Sequence, residues 1–114
     1  MKFTHKDFVL VPEHAIAACR DRCNAALEMT DSKVRKMLVW AVHNGDPIGA
    51  QKGSDMLIHP PENAYQLDGL VLVLRITSDK SRQGGRFCVL KTVLTRDMAI
   101  ANAEAVFDST GRPS

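Results

Sequence analysis

Three groups of side chains in this 114-residue chain are of types and spacings that can do chemistry. The largest is a run of cations between residues 75 and 97, where Arg75, Lys80, Arg82, Arg86, Lys91 and Arg96 face only Asp79 and Asp97. The whole chain carries a formal charge of +2, too small to imply a nucleic-acid or membrane partner by itself, so the positive field belongs to this one segment. The second group is histidine. His14 follows Pro12-Glu13 at the start of a helical pattern, a place that favours the uncharged imidazole a general base needs, and His59 ends an apolar run just before Pro60-Pro61. The third is Cys19 and Cys23, whose four-residue spacing lets both thiols face one metal ion. No second Cys or His pair at ligand spacing accompanies them, and cysteine on an apolar helix stripe behaves as a small hydrophobe, so neither a metal nor a cofactor is expected. Phosphate-binding loops, dinucleotide glycine motifs, nucleophile elbows and zinc-protease helices are all absent.

The elements that must hold these groups follow from periodicity. Residues 1–11 read as an extended opening with Phe8-Val9-Leu10-Val11 as strand formers. Pro12 and Glu13 suit a first helical turn, and Ile16, Cys19, Cys23, Ala26 and Leu27 share one stripe, predicting a helix to about Met29. Arg20 borders that stripe and is placed to reach over the sheet. A second helix begins with Thr30 or Asp31 as cap, repeats Val34, Met37, Leu38, Ala41 and Val42, and leaves through Asn44-Gly45, so that 12–43 is a helical pair. Trp40 within it is either core or a contact in a homodimer. Asp46-Pro47 reads as a turn, Met56-Leu57-Ile58-His59 as a short strand, and Leu70 to Thr77 with Arg86 to Thr95 as an antiparallel hairpin around a polar, glycine-ended loop. A C-terminal helix capped by Thr95 or Asp97 runs to about Phe107, and residues 108–114 form a frayed tail. The expected fold is α+β: two N-terminal helices packed on a small antiparallel sheet, with a C-terminal helix.

Hairpin register decides which side chains meet. With Leu70, Leu72, Leu74 and Ile76 sharing a face with Cys88, Leu90 and Leu94, that face is aliphatic and packs on the helices. The other face then gathers Val71, Val73, Arg75 and Thr77 with Phe87, Val89, Lys91, Val93 and Thr95. The opposite register buries Lys91 among leucines at a cost of roughly several kcal/mol. In the preferred register, two cations, two hydroxyls and an aromatic ring can hold a phosphodiester and stack a base. The loop residues Lys80, Arg82 and Arg86, next to Gly84-Gly85, add a backbone and side-chain setting for an anion.

Composition bounds the rest. A chain of this length, 45% hydrophobic and 25% charged, has the material for one folded domain. Three cysteines are an odd set in a chain whose core needs no disulfide, and the reading is of reduced thiols. The sequence has neither a secretory signal pattern nor an apolar run long enough to span a bilayer, and a cytoplasmic protein without a membrane partner is expected.

The order of these elements, with His14-Ala15 opening the first helix, an Asn44-Gly45 exit, and strands ending in Phe87-Cys88-Val89-Leu90-Lys91-Thr92-Val93-Leu94-Thr95, resembles the RelE-like and colicin-type toxin ribonucleases over residues 12–96. Such domains cut RNA without metal, using the neighbouring 2′-OH as nucleophile. The resemblance implies His14 or His59 as base, Arg75 and Lys91 as phosphate and transition-state ligands, and Thr95 as a polar positioning group. Lys80, Arg82, Arg86 and Phe87 serve as the binding set. The alternative is a non-enzymatic interaction protein, an inhibitor, immunity partner or phage-type host regulator, that binds a macromolecule through the same basic hairpin.

Overall fold

The computed structural model describes residues 3–4, 6–50, 56–78 and 85–102. Its elements run β1 (Phe8–Leu10), α1 (Glu13–Arg22), a 3₁₀ turn (Asn24–Glu28), α2 (Asp31–Asn44), β2 (Asp46–Ala50), β3 (Met56–His59), a second 3₁₀ turn (Tyr65–Leu67), β4 (Leu70–Ser78), β5 (Phe87–Thr95) and α3 (Arg96–Asn102). The protein is α+β, built on one five-stranded sheet of order β1-β5-β4-β3-β2. The sheet is mixed and larger than the expected antiparallel one, because β1 joins β5 in parallel while every other pair is antiparallel.

Local chemistry explains where the helices start and stop. Thr30 caps α2, its hydroxyl accepting the Lys33 N–H at 3.2 Å. Helix α1 ends at Arg22, short of the predicted Met29: Cys23 takes an extended conformation and its thiol meets the Gln66 carbonyl at 2.8 Å, which turns the chain into the 3₁₀ segment. Leu27, predicted on the core stripe, is therefore exposed. Arg20 does not reach the sheet. It donates to the Met29 carbonyl and pairs with Asp31, tying α1 to the start of α2, while Arg22 reaches the Val93 carbonyl of β5 at 3.0 Å. After α2, Gly45 is needed for space: a Cβ there would lie 2.5 Å from the His59 carbonyl oxygen and 2.6 Å from that of Ala41. Asp46-Pro47, read as a turn, instead opens the edge strand β2, the place in a sheet where a proline without an N–H is tolerated.

One side of the sheet packs on α1 and α2. Val9, Leu70, Leu72, Leu74, Cys88, Leu90 and Val93 meet Ala15, Ile16, Cys19, Val34, Leu38, Ala41 and Val42 there, all buried. On the other side a smaller cluster of Leu57, Val71, Val73 and Leu94 is covered by Ala99 and Met98 of α3. Val93 and Leu94 thus lie on the opposite sides from those expected, and Thr95 shares Val93's parity. Val73 pairs with Thr92 and Leu74 with Leu90, so Lys91 is an extra residue in β5, a bulge that reverses the alternation for the rest of the strand. With Lys91 as the extra residue, the apolar residues beyond it switch faces.

Candidate functional site

Helix α3 covers the side of the sheet away from α1 and α2 only at the end where β5 finishes. At the other end, where β1 and β5 begin, no described element covers the face. Alternation along β1 sends Val9 into the core and Phe8 and Leu10 to the open side, where they are 49% and 44% exposed. Their partners in register are Phe87 and Val89, and Val89 is in turn opposite exposed Arg75 of β4. Phe8 and Phe87 stack with ring centroids 5.0 Å apart and planes 22° from parallel. Two stacked rings, two aliphatic side chains and Arg75 thus share one patch that no described element covers.

The edge of the platform is fastened by α2. His43 Nε2 donates to the Asp7 carbonyl at 2.8 Å and Arg35 Nε to the Val11 carbonyl at 3.2 Å, so main-chain acceptors at both ends of β1 are already engaged. That arrangement blunts β1 as a template for another strand and leaves the face as the accessible surface.

Where β1 and β5 begin, Asp7 and Arg86 form a nearly buried pair. Arg86 Nε and Nη2 donate to the two carboxylate oxygens at 3.1 and 3.0 Å, and the Arg86 N–H adds a third bond at 2.8 Å. The guanidinium also lies 4.1 Å from the centroid of Phe3. The Arg86 side chain holds the Asp7 carboxyl well below the usual carboxylate range, prevailing over burial, with the Arg86 and Thr4 N–H groups adding to the effect. Gly85 passes so close to the Lys6 carbonyl that a Cβ has no room. Arg86, expected in the binding set, thus spends its hydrogen bonds on joining the N-terminal segment to the hairpin.

The other predicted residues are dispersed. Phe87 is on the open platform and Arg75 stands two strands from Phe8. Lys91 is half-buried at the bulge. Thr95 caps α3, its hydroxyl accepting the Met98 N–H at 3.2 Å. His14 is exposed on α1, on the far side of the sheet from Arg75. His59 is at the end of β3, beside the start of β2. Lys80 and Arg82, with residues 103–114 of the predicted C-terminal helix and tail, lie outside the described residues. His14 is thus on the opposite side of the sheet from Arg75, while His59, which shares the parity of Leu57, is on Arg75's side but towards the other end of the strands. The sequence missed Phe8 and Leu10, because a parallel pairing across almost eighty residues leaves no local signal.

His59 instead helps line a cavity of about 450 Å³ at the opposite end of the sheet, with Asp46, Glu62, Asp68 and Arg96 and a floor that includes Pro60 and Leu67. Among the described residues no group of three or more His, Cys, Asp or Glu side chains is arranged to hold a metal ion, and no helix is long and apolar enough to cross a membrane. Burial pushes the Cys19 thiol up to about 12, with the neighbouring Cys23 adding to it, and burial pushes that of Cys88 up to about 11.

No family model, curated protein or solved structure matches the chain.

Proposed function

We propose that the protein is an RNA-directed module that seats a single strand on the open half of its sheet. The observation that carries this reading is the exposed Phe8–Phe87 stack in register with the row Leu10, Val89 and Arg75. A single-stranded nucleic acid needs an aromatic surface for its bases and cations for its phosphates, and an aromatic platform combined with a positive groove supplies both. The outer face of Phe8, on an edge strand, is the place for a base. Arg75 lies on this face, and Lys80 and Arg82 belong to the sequence joining β4 to β5, charges that complement a polyanion. The toxin-ribonuclease form of this reading also requires a base beside the bound phosphate. His14 and His59 stand elsewhere, so binding is the part of the function that the geometry supports, and cleavage is a separate question for the same experiment.

Fluorescence anisotropy of a labelled single-stranded RNA, with the full chain at low and moderate salt, tests the reading. Phe8→Ala is expected to weaken binding by roughly 5- to 100-fold, the effect of losing one stacked base, and Arg75→Gln to flatten the salt dependence. A gel of the same RNA with and without EDTA reads cleavage, and cleavage that survives EDTA would add the metal-independent reaction to the binding. Absence of RNA binding, or binding indifferent to both substitutions, sinks the proposal and leaves a protein partner as the occupant of the apolar face.

A further inference from the structure

The two rings of the platform are the residues that follow Asp7 and Arg86, and the bonds of that pair run directly beneath them. The Phe8 N–H donates to the Arg86 carbonyl at 2.8 Å, and the Arg86 N–H donates to Asp7 Oδ1 at 2.8 Å. The strands are thus joined at the base of the stack by two bonds of opposite sense. The guanidinium closes the same crossing again through Nε and Nη2 on the two carboxylate oxygens. Further anchors hold the flanks. The Thr4 N–H donates to Asp7 Oδ2 and the Asp7 N–H to the Thr4 carbonyl, both at 2.9 Å, and buried Phe3 lies against the guanidinium. On the other flank the Thr77 hydroxyl donates to the Phe87 carbonyl at 3.1 Å.

Strand β1 has three residues and one strand neighbour, so its own ladder is a weak hold on where Phe8 stands. The pair supplies a stronger one. Two parallel bonds from a planar fork fix the carboxylate in direction as well as distance, which an ammonium in the same place cannot do. The Arg86 side chain is 17% exposed and its Nε and Nη2 are already on Asp7, so its part in recognition is not to hold a phosphate. A side chain fixed before its ligand arrives loses less conformational freedom on binding than one the ligand must order. We propose that the Asp7–Arg86 pair is a positioning pair for base recognition, holding Phe8 on Phe87 so that the outer face of Phe8 is already in place when a base arrives. The inference rests on the reading of this face as an RNA-binding one, and adds to it the residues that set its affinity without touching the ligand.

Aromatic NMR spectra of the full chain without RNA, and anisotropy titrations of the same proteins with a labelled single-stranded RNA, decide it. Arg86→Lys keeps the charge and loses the fork, and Asp7→Asn keeps the shape of the carboxyl and loses its charge. Thermal melts set a temperature at which each protein is folded, and Arg86→Lys, the milder change, carries the comparison if Asp7→Asn does not fold. Cross-peaks between the Phe8 and Phe87 rings are expected to weaken in the variants while the methyl signals of core Leu72 and Leu90 stay in place. RNA affinity should fall roughly 2- to 10-fold, the effect of ordering one side chain on binding. The salt dependence should remain that of wild type, and in a Phe8→Ala background Arg86→Lys should add no more than about a twofold loss. Three results would overturn the proposal: rings that stay stacked in folded Arg86→Lys, an equal loss of affinity with and without Phe8, or a flattened salt dependence, which would make Arg86 a direct phosphate ligand. A wild type that binds no RNA is a different result. It removes the function of the face and the role of the pair together, whereas failure of the pair alone leaves wild-type binding intact.

Discussion

Asp7 and Arg86 show how a residue predicted for one task is committed to another. From the sequence, Arg86 is one of several cations beside a glycine pair. Only the fold brings Asp7, seventy-nine residues earlier, into a paired geometry with it. Both side chains are largely out of water, 17% and 6% exposed, so the pair is costly to break even where it adds little over an apolar replacement. Asp7→Asn is expected to lower unfolding stability at pH 7 by about 3 kcal/mol in denaturant titrations. The pH dependence has a definite sign. The folded-state pKa of Asp7 is depressed, so its contribution is complete above the ordinary carboxylate range near ~3.9 and is lost as pH falls from there towards the folded value. Wild type should therefore lose stability below about pH 4 more steeply than the variant, and the gap between them should narrow with acidification. A gap that stays constant down to pH 2 would show that the carboxylate charge is not what the variant removes.

At the scale of elements, the parts that were legible are those whose signals are local. Thr30, the stripe Val34-Leu38-Ala41-Val42 and Gly45 locate α2 because cap, spacing and exit lie within one continuous stretch. The alternating leucines of β4 announce the hairpin in the same way. Strand β2 was hidden because Asp-Pro is turn chemistry in isolation and edge-strand chemistry only beside a partner. The bulge at Lys91 was hidden because one extra residue leaves composition and propensity unchanged while reversing every side chain after it. This makes a sharp prediction. Deleting Lys91 makes Leu90 and Thr92 consecutive, and the existing pairs Leu74↔Leu90 and Val73↔Thr92 then form a regular antiparallel ladder without a shift in partners. The deletion should fold with a melting temperature within several degrees of wild type. Deleting Val93 instead advances Leu94 into the inner layer and carries Thr95 to the α3 side, and it should lower the melting temperature far more. Equal losses in the two deletions would refute the bulge as the origin of the face switch.

For the whole molecule, the decisive feature is the unequal covering of a sheet with two apolar faces. Helices α1 and α2 cover one face, α3 covers part of the other, and the part that no described element covers carries exposed Phe8 and Leu10 beside Arg75. The sequence named Arg75 and Phe87 for this surface, correctly placing both on the side away from the leucines. It could not supply Phe8 and Leu10, which come to the platform only through the parallel β1–β5 pairing. Stability and function should therefore separate along a single three-residue strand. Val9 is 7% exposed and faces the core, so Val9→Glu buries an unpaired carboxylate and is expected to abolish cooperative unfolding or lower the melting temperature by more than 10 °C, equivalent to roughly 2 kcal/mol or more. Leu10, one residue on and 44% exposed, points to the open side, and Leu10→Glu should cost only about 1 kcal/mol. The same substitution sets a negative charge beside Val89 and Arg75 where the proposal seats an RNA backbone, so anisotropy should report at least a tenfold loss of binding from a protein that remains folded. A Leu10→Glu protein that melts normally and still binds RNA like wild type would remove the open face from the function, whatever else the hairpin does.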